Sequence, residues 1–221
     1  MDLYDAMSTL RAVRRLKPDP IPDDVLGRVL QAAAWAPTGG NAQPWRVVVV
    51  RDPAKQAKIQ EWYLEEWDRY VGGYRTRRND AADETQQKSE RMLDAGDYLA
   101  AHWREAPVTL VFCFNPRAMA ITDADLDRPS VVGGASVYTA VQNALLAARS
   151  EGLGCVLTTL LCFKEAEVKT LLGIPEGWYT AAHIPLGYPI RGGHGPIARM
   201  PIGELSYTDA WGDPKSGQAE S

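Results

Sequence analysis

Hydrophobic spacing along the chain changes period several times. Leu3, Met7 and Leu10 recur at helical intervals ahead of Pro18 and Pro20, which no helix interior tolerates, so a short opening helix is predicted over residues 2–10. Val25, Leu26, Val29, Leu30 and Ala33 repeat on one face behind Asp23 and Asp24, whose charges suit a helix N-terminus; this helix stops at Ala36-Pro37. Residues 47–50 are four valines with no polar alternation, the pattern of a strand buried on both faces. Asp52-Pro53, a cap followed by proline, opens a tryptophan-bearing helix reaching about residue 70. A second buried strand follows at residues 108–114, then an apolar helical stripe (Val137, Ala140, Val141, Ala144, Leu145, Ala148) closed by Gly152. Residues 155–161 and 181–186 read as further strands around a short helix at residues 165–172.

The two periodicities are interleaved without a break in composition, and 221 residues suit one domain, so a single α+β domain over residues 1–208 with a polar tail at 209–221 is the simplest account. Lys+Arg 24 against Asp+Glu 28 gives a net charge of −4, which disfavours a dedicated nucleic-acid binder. No run approaches the ~20 apolar residues of a membrane span, and the N-terminus lacks a signal-peptide pattern, so a cytoplasmic protein is expected. Cys113, Cys155 and Cys162 have no metal-ligand spacing and are expected to be buried, reduced thiols.

Absences narrow the chemistry. Gly152-Leu153-Gly154 follows a helix and has Leu157 where a dinucleotide fingerprint needs its third glycine; there is no phosphate loop of the GxxxxGK type, no GxSxG elbow, and the histidines at 102, 183 and 194 lack ligand spacing. An enzyme with this inventory would rely on a bound organic cofactor. Arg11, Arg14, Arg15 and the distant Arg199 suit a dianionic phosphate, although the first three read equally as a solvated face or as partners of Asp19, Asp23 and Asp24. The loop APTGGNAQPW combines a helix stop, a hydroxyl, paired glycines and amides ahead of a strand. Leu157-Thr158-Thr159 could offer N–H groups and hydroxyls to a heteroaromatic edge, or simply be buried strand.

These segments together resemble the nitroreductase family of flavin mononucleotide enzymes: RAVRRLKPDPIP, then APTGGNAQPWRVVVV, SVYTAVQNALLAARSEGLG, LLGIPEGW and HIPLGYP, in the family's order. The resemblance covers most of residues 4–206 and weakens between about 55 and 105. It implies a nitroreductase-like fold, a central, mainly antiparallel sheet flanked by helices in an intimate homodimer, with FMN at the interface, NADH or NADPH as electron donor and a small aromatic or quinone-like acceptor, by ping-pong kinetics. Carried onto this chain, the flavin contacts would be Arg11, Ala12, Arg14 and Arg15; Pro37, Thr38, Gly39 and Asn41; Leu157, Thr158 and Thr159; and Arg199, with no metal and no catalytic side chain beyond the flavin. Two positions depart from the usual pattern: Ala12 replaces a serine, removing one hydroxyl contact, and Leu16 replaces a phenylalanine. The alternatives within the resemblance are a reductive dehalogenase similar to iodotyrosine deiodinase, a flavin-fragmenting branch that the Gly39-Gly40-Asn41 loop fits less well, and a non-catalytic flavin or deazaflavin carrier. Residues 62–92 carry Trp62, Tyr63, Trp67, Tyr70 and Tyr74 among many charges; they read either as a lid over the flavin or as aromatics packing a helix onto the sheet.

Overall fold

The computed structural model describes residues 1–76 and 83–212. Its centre is a four-stranded sheet in the order β1 (Trp45–Val50), β2 (Val108–Phe114), β4 (Tyr179–Gly187), β3 (Gly154–Cys155), every pairing antiparallel. Side chains alternate across a strand, and β2 uses both faces. Leu110 and Phe112 join the helices α2 (Asp23–Ala34) and α5 (Tyr138–Ser150), while Val111 and Cys113 join α3 (Pro53–Thr76), α4 (Asp83–His102) and α6 (Glu165–Leu172). Ala140, Ala144 and Ala148 present small side chains on one face of α5, buried in the cluster that also holds Val29 and Ala33 of α2.

The valine run departs from its pattern. β1 is the sheet's edge, paired only with β2, and Trp45 and Val47–Val49 are half-buried with only Val50 fully covered. An unbroken apolar run does not distinguish a central strand from an edge one. The strand expected over 155–161 is also shorter: β3 is two residues long, Thr158 adds a single bridge to His183, and Leu160–Lys164 coil into a 3-10 turn. Cys113 and Cys155 are buried as expected, whereas Cys162 is exposed at that turn.

The long helix starts as predicted, with Asp52 Oδ1 accepting from the N–H groups of Ala54 and Lys55 at 2.8 and 3.2 Å, but it continues beyond residue 70 to Thr76. Of the polar stretch 74–91, residues 77–82 lie outside the described part and residues 83–91 belong to α4. The opening helix α1 (Leu3–Thr9) is capped by Asp2, whose Oδ1 accepts from Asp5 N–H at 2.8 Å. A last short helix, α7 (Ile202–Leu205), precedes the tail, of which residues 213–221 lie outside the described part.

Candidate functional site

The arginine-rich segment reaches the sheet by pairing with β3. Val13 N–H donates to Cys155 O at 2.9 Å, Ala12 bridges Cys155 in parallel, and Val13 and Leu16 are buried between Arg11, Arg14 and Arg15. This approach depends on Gly154, where an added Cβ would lie 2.7 Å from Val13 Cγ1. From the other end of the chain, Gly195 and Ile197 donate their N–H groups to Thr9 O and Ser8 O at 3.3 and 3.2 Å. Arg199, two residues further on, and Arg11 therefore emerge from paired segments, and Arg11 Nη1 runs beside Gly195.

Two of the three carboxylates that could have neutralised these arginines are engaged elsewhere, and Asp19 forms no ion pair with them among the described residues. Asp23 pairs with Arg51 at 2.6 Å and Asp24 with Arg28 at 2.9 Å. Among the described residues Arg11, Arg14, Arg15 and Arg199 form no ion pair. Arg15 lies over the Tyr98 ring, 4.2 Å from its centroid, and Arg199 donates to Ala198 O, whereas Arg14 is half-buried.

Arg14 lines a cavity of about 220 Å³ together with Tyr63, Trp67, Tyr70 and residues 156–160. Thr158 is fixed there by reciprocal backbone bonds with His183, 3.1 and 3.0 Å. On either side of it, the N–H groups of Leu157 and Thr159 donate to no acceptor among the described residues, and both residues are exposed. Burial raises the Tyr63 phenol's pKa, against the lowering effects of the Thr158 hydroxyl and the Arg14 charge.

Thr159 also lines a much larger cavity, of about 1030 Å³, with Pro37, Phe114, Tyr138, Cys162 and Thr180. Among the described residues that line it, none is charged. The large cavity thus joins the APTGGN loop to the strand end through Pro37 and Thr159, and the smaller one joins that strand end to Arg14. Thr38, Gly39 and Asn41 line neither; they shape the loop. Gly40, Asn41 and Gln43 take positive φ of 58°, 56° and 49°, and Thr38 Oγ1 accepts from Gln43 N–H at 3.0 Å. Arg11, Ala12, Arg15 and Arg199 also lie outside both linings.

Of the aromatics of α3, Tyr63 and Trp67 pack in the core cluster on one face of the sheet, as the packing reading expects, and with Tyr70 they line the smaller cavity. Trp67 is held by α4, donating from Nε1 to Asp97 Oδ1 at 2.6 Å. The side chain of Tyr74 lies outside the described part. Sequence reasoning missed the segment between β2 and α5, which contributes Met119, Ile121, Ser130, Val131, Gly133 and Gly134 to the large cavity; only Gly133-Gly134 marked it as unusual.

The α+β fold thus gathers arginines with no ion pair among the described residues near a strand end with free N–H donors, and the family to which the chain belongs is one of flavin-dependent oxidoreductases. The match to the family model described as "Nitroreductase family" runs over residues 9–188, and the chain belongs to that family. It is 31% identical over 207 residues to an NADH dehydrogenase of Thermus thermophilus, covering 91% of this chain and 93% of that protein. It is 32% identical over 188 residues to the 5,6-dimethylbenzimidazole synthase of Rhodospirillum rubrum, covering 81% and 78%. Among solved structures, an oxidized iodotyrosine deiodinase bound to FMN and 3-iodo-L-tyrosine superposes with a TM-score of 0.64 at 26% identity, over 90% of this chain and 94% of that one. No helix among the described residues is long and apolar enough to cross a membrane.

Proposed function

We propose that this oxidoreductase binds FMN and passes electrons from NADH or NADPH to a small, flat, uncharged acceptor such as a quinone or nitroaromatic. The observation that carries the acceptor class is that, among the described residues, none that line the large cavity at the strand end is charged. The residues present fit the cofactor. Guanidinium groups without carboxylate partners suit a dianionic phosphate, and free backbone N–H groups suit the acceptor atoms of a heteroaromatic edge.

When bound, the flavin supplies the redox chemistry, taking a hydride from the nicotinamide and delivering electrons to the acceptor. Arg11 and Arg199 would hold the phosphate and Arg14 the adjoining polar part of the molecule. Leu157 and Thr159 would donate their N–H groups to the ring edge, and the reciprocal Thr158–His183 backbone bonds keep those donors in place. The apolar wall formed by Phe114, Met119, Ile121 and Val131 excludes water and receives the acceptor's ring. Donor and acceptor use the site in turn, which makes the kinetics ping-pong.

Reductive dehalogenation of an amino acid is the second reading, favoured by the similarity to the deiodinase structure. A zwitterion needs a cation and a carboxylate together; among the described residues the large cavity supplies neither and the smaller one only Arg14. Large exposed apolar side chains (Tyr4, Trp35, Phe163 and Trp211) support a homodimer in which a second copy covers them. The discriminating experiment is turnover of NADH with 1,4-benzoquinone, nitrobenzene and 3-iodotyrosine in parallel. The reading requires the neutral acceptors to be faster; faster turnover of iodotyrosine would reverse it.

A further inference from the structure

The wall that the sequence did not reveal has an unusual internal support. Between β2 and α5 the chain has only two 3-10 turns, Pro116–Ala118 and Val132–Ser136, so the backbone of residues 119–131 has no sheet ladder or helix to fix it. Asp123 lies at its centre and is 2% exposed. Its Oδ1 accepts from Ser130 Oγ at 2.8 Å. Its Oδ2 accepts from the N–H groups of Val131 and Val132 at 2.8 and 3.3 Å and from Arg128 Nη1 at 2.8 Å. Arg128 closes the ring by donating also to Pro129 O at 2.9 Å.

A buried carboxylate with four donors is a fixed point around which a loop folds, because removing it leaves N–H and hydroxyl groups without partners. The Val131 N–H, opposed by desolvation and helped by Arg128, Ser130 and Val132, holds this carboxyl well below the ordinary carboxylate range, so it is ionised at every pH where the protein works. Two of the residues it gathers, Ser130 and Val131, face the large cavity. The charge itself is turned inward and compensated, which keeps the cavity lining neutral.

We propose that Asp123 is a positioning residue of the site: its carboxylate holds Ser130 and Val131 as one wall of the cavity and thereby sets how wide a flat acceptor can enter. This rests on the acceptor site proposed above. It places an acceptor-selecting element on the β2–α5 connection.

The test compares wild type, Asp123→Asn and the milder Ser130→Ala as flavin-loaded proteins. Asparagine keeps the shape but places an amide N–H2 against the donors. Amide hydrogen exchange at Val131 and Val132 reads the support itself and needs no turnover; protection should fall about tenfold or more in Asp123→Asn, the equivalent of one lost hydrogen bond. The ratio of kcat/KM for 1,4-naphthoquinone to that for 1,4-benzoquinone should shift about fivefold or more; both values report the half-reaction with the acceptor, so any change in reduction by NADH drops out of the ratio. Ser130→Ala should move the same ratio in the same direction by less, and it serves alone if Asp123→Asn does not fold. Unchanged exchange protection overturns the support. Lost protection with an unchanged quinone ratio reduces Asp123 to a stabilising residue and overturns its positioning role. A wild-type protein that takes up no flavin fails earlier, before any variant is compared, and removes the reading of the site while the exchange result on the loop still stands.

Discussion

At the scale of single residues, the decisive change from sequence to structure concerns partners. Arg11, Arg14 and Arg15 could have been neutralised by Asp19, Asp23 and Asp24; the fold gives Asp23 to Arg51 and Asp24 to Arg28, so the arginines remain available. Replacing Arg11 or Arg199 by alanine should weaken FMN binding by roughly 1.5–3 kcal/mol, about ten- to a hundredfold, as read by quenching of flavin fluorescence. Undiminished affinity in both variants would show that neither touches the phosphate. His183 carries a second prediction. Its ring is completely buried, neither nitrogen has a hydrogen-bond partner, and burial lowers its pKa to about 4. The unfolded chain protonates this imidazole near its ordinary pKa while the folded one does not, so stability is intact above about pH 6.5 and is lost as pH falls toward 4. Between pH 6.5 and 5 the loss from this group should be about 2 kcal/mol, measured by urea denaturation, and His183→Leu should remove that part of the slope. An identical pH slope in the variant would assign the acid sensitivity to other groups. Nothing in the sequence marked His183 as buried, since a lone histidine in a strand carries no signal of the depth at which the strand lies.

Among elements, legibility followed the length of the repeating pattern. The helical stripes of α2 and α5 each run over at least two turns and fall where they were expected. The valine run of β1 was recognised as a strand but read as buried on both faces, whereas at the sheet's edge all but Val50 of its valines are half-buried, because cover depends on what packs beside the strand. The strand end at 157–159 was found as a motif, although regular pairing stops at Cys155 and the next residues curl into a turn. That early stop is what leaves the N–H groups of Leu157 and Thr159 without acceptors. The approach of the arginine segment to β3 is equally invisible in sequence, since it depends on Gly154 lying against Val13 and Leu16. Gly154→Ala would place a methyl 2.7 Å from Val13 Cγ1 and 2.9 Å from Leu16 Cδ2. Overpacking of this kind costs about 1–3 kcal/mol. The variant should therefore melt earlier and also retain FMN less well, because the displaced segment carries Arg11 and Arg14. Loss of stability with full flavin affinity would separate the segment's packing from the phosphate site.

On the scale of the whole molecule, a cavity whose described lining is uncharged meets, at the same strand end, a smaller one lined by Arg14, with Thr159 common to both cavities. Tyr4, Trp35, Phe163 and Trp211 are exposed, and a second copy that covers them is expected, so sedimentation of the flavin-loaded protein at micromolar concentration should return twice the chain mass. A flavin-loaded monomer would rule out the dimer. The central claim is that this arrangement holds a flavin and exposes it in turn to a nicotinamide and a flat, neutral acceptor, and the most direct measurement is an anaerobic titration of the purified protein followed by absorbance. One FMN per chain should be bound, its oxidised absorption should bleach on addition of NADH or NADPH, and the colour should return when 1,4-benzoquinone is added. A protein that binds no FMN, or a bound flavin that neither nicotinamide bleaches, would contradict the account.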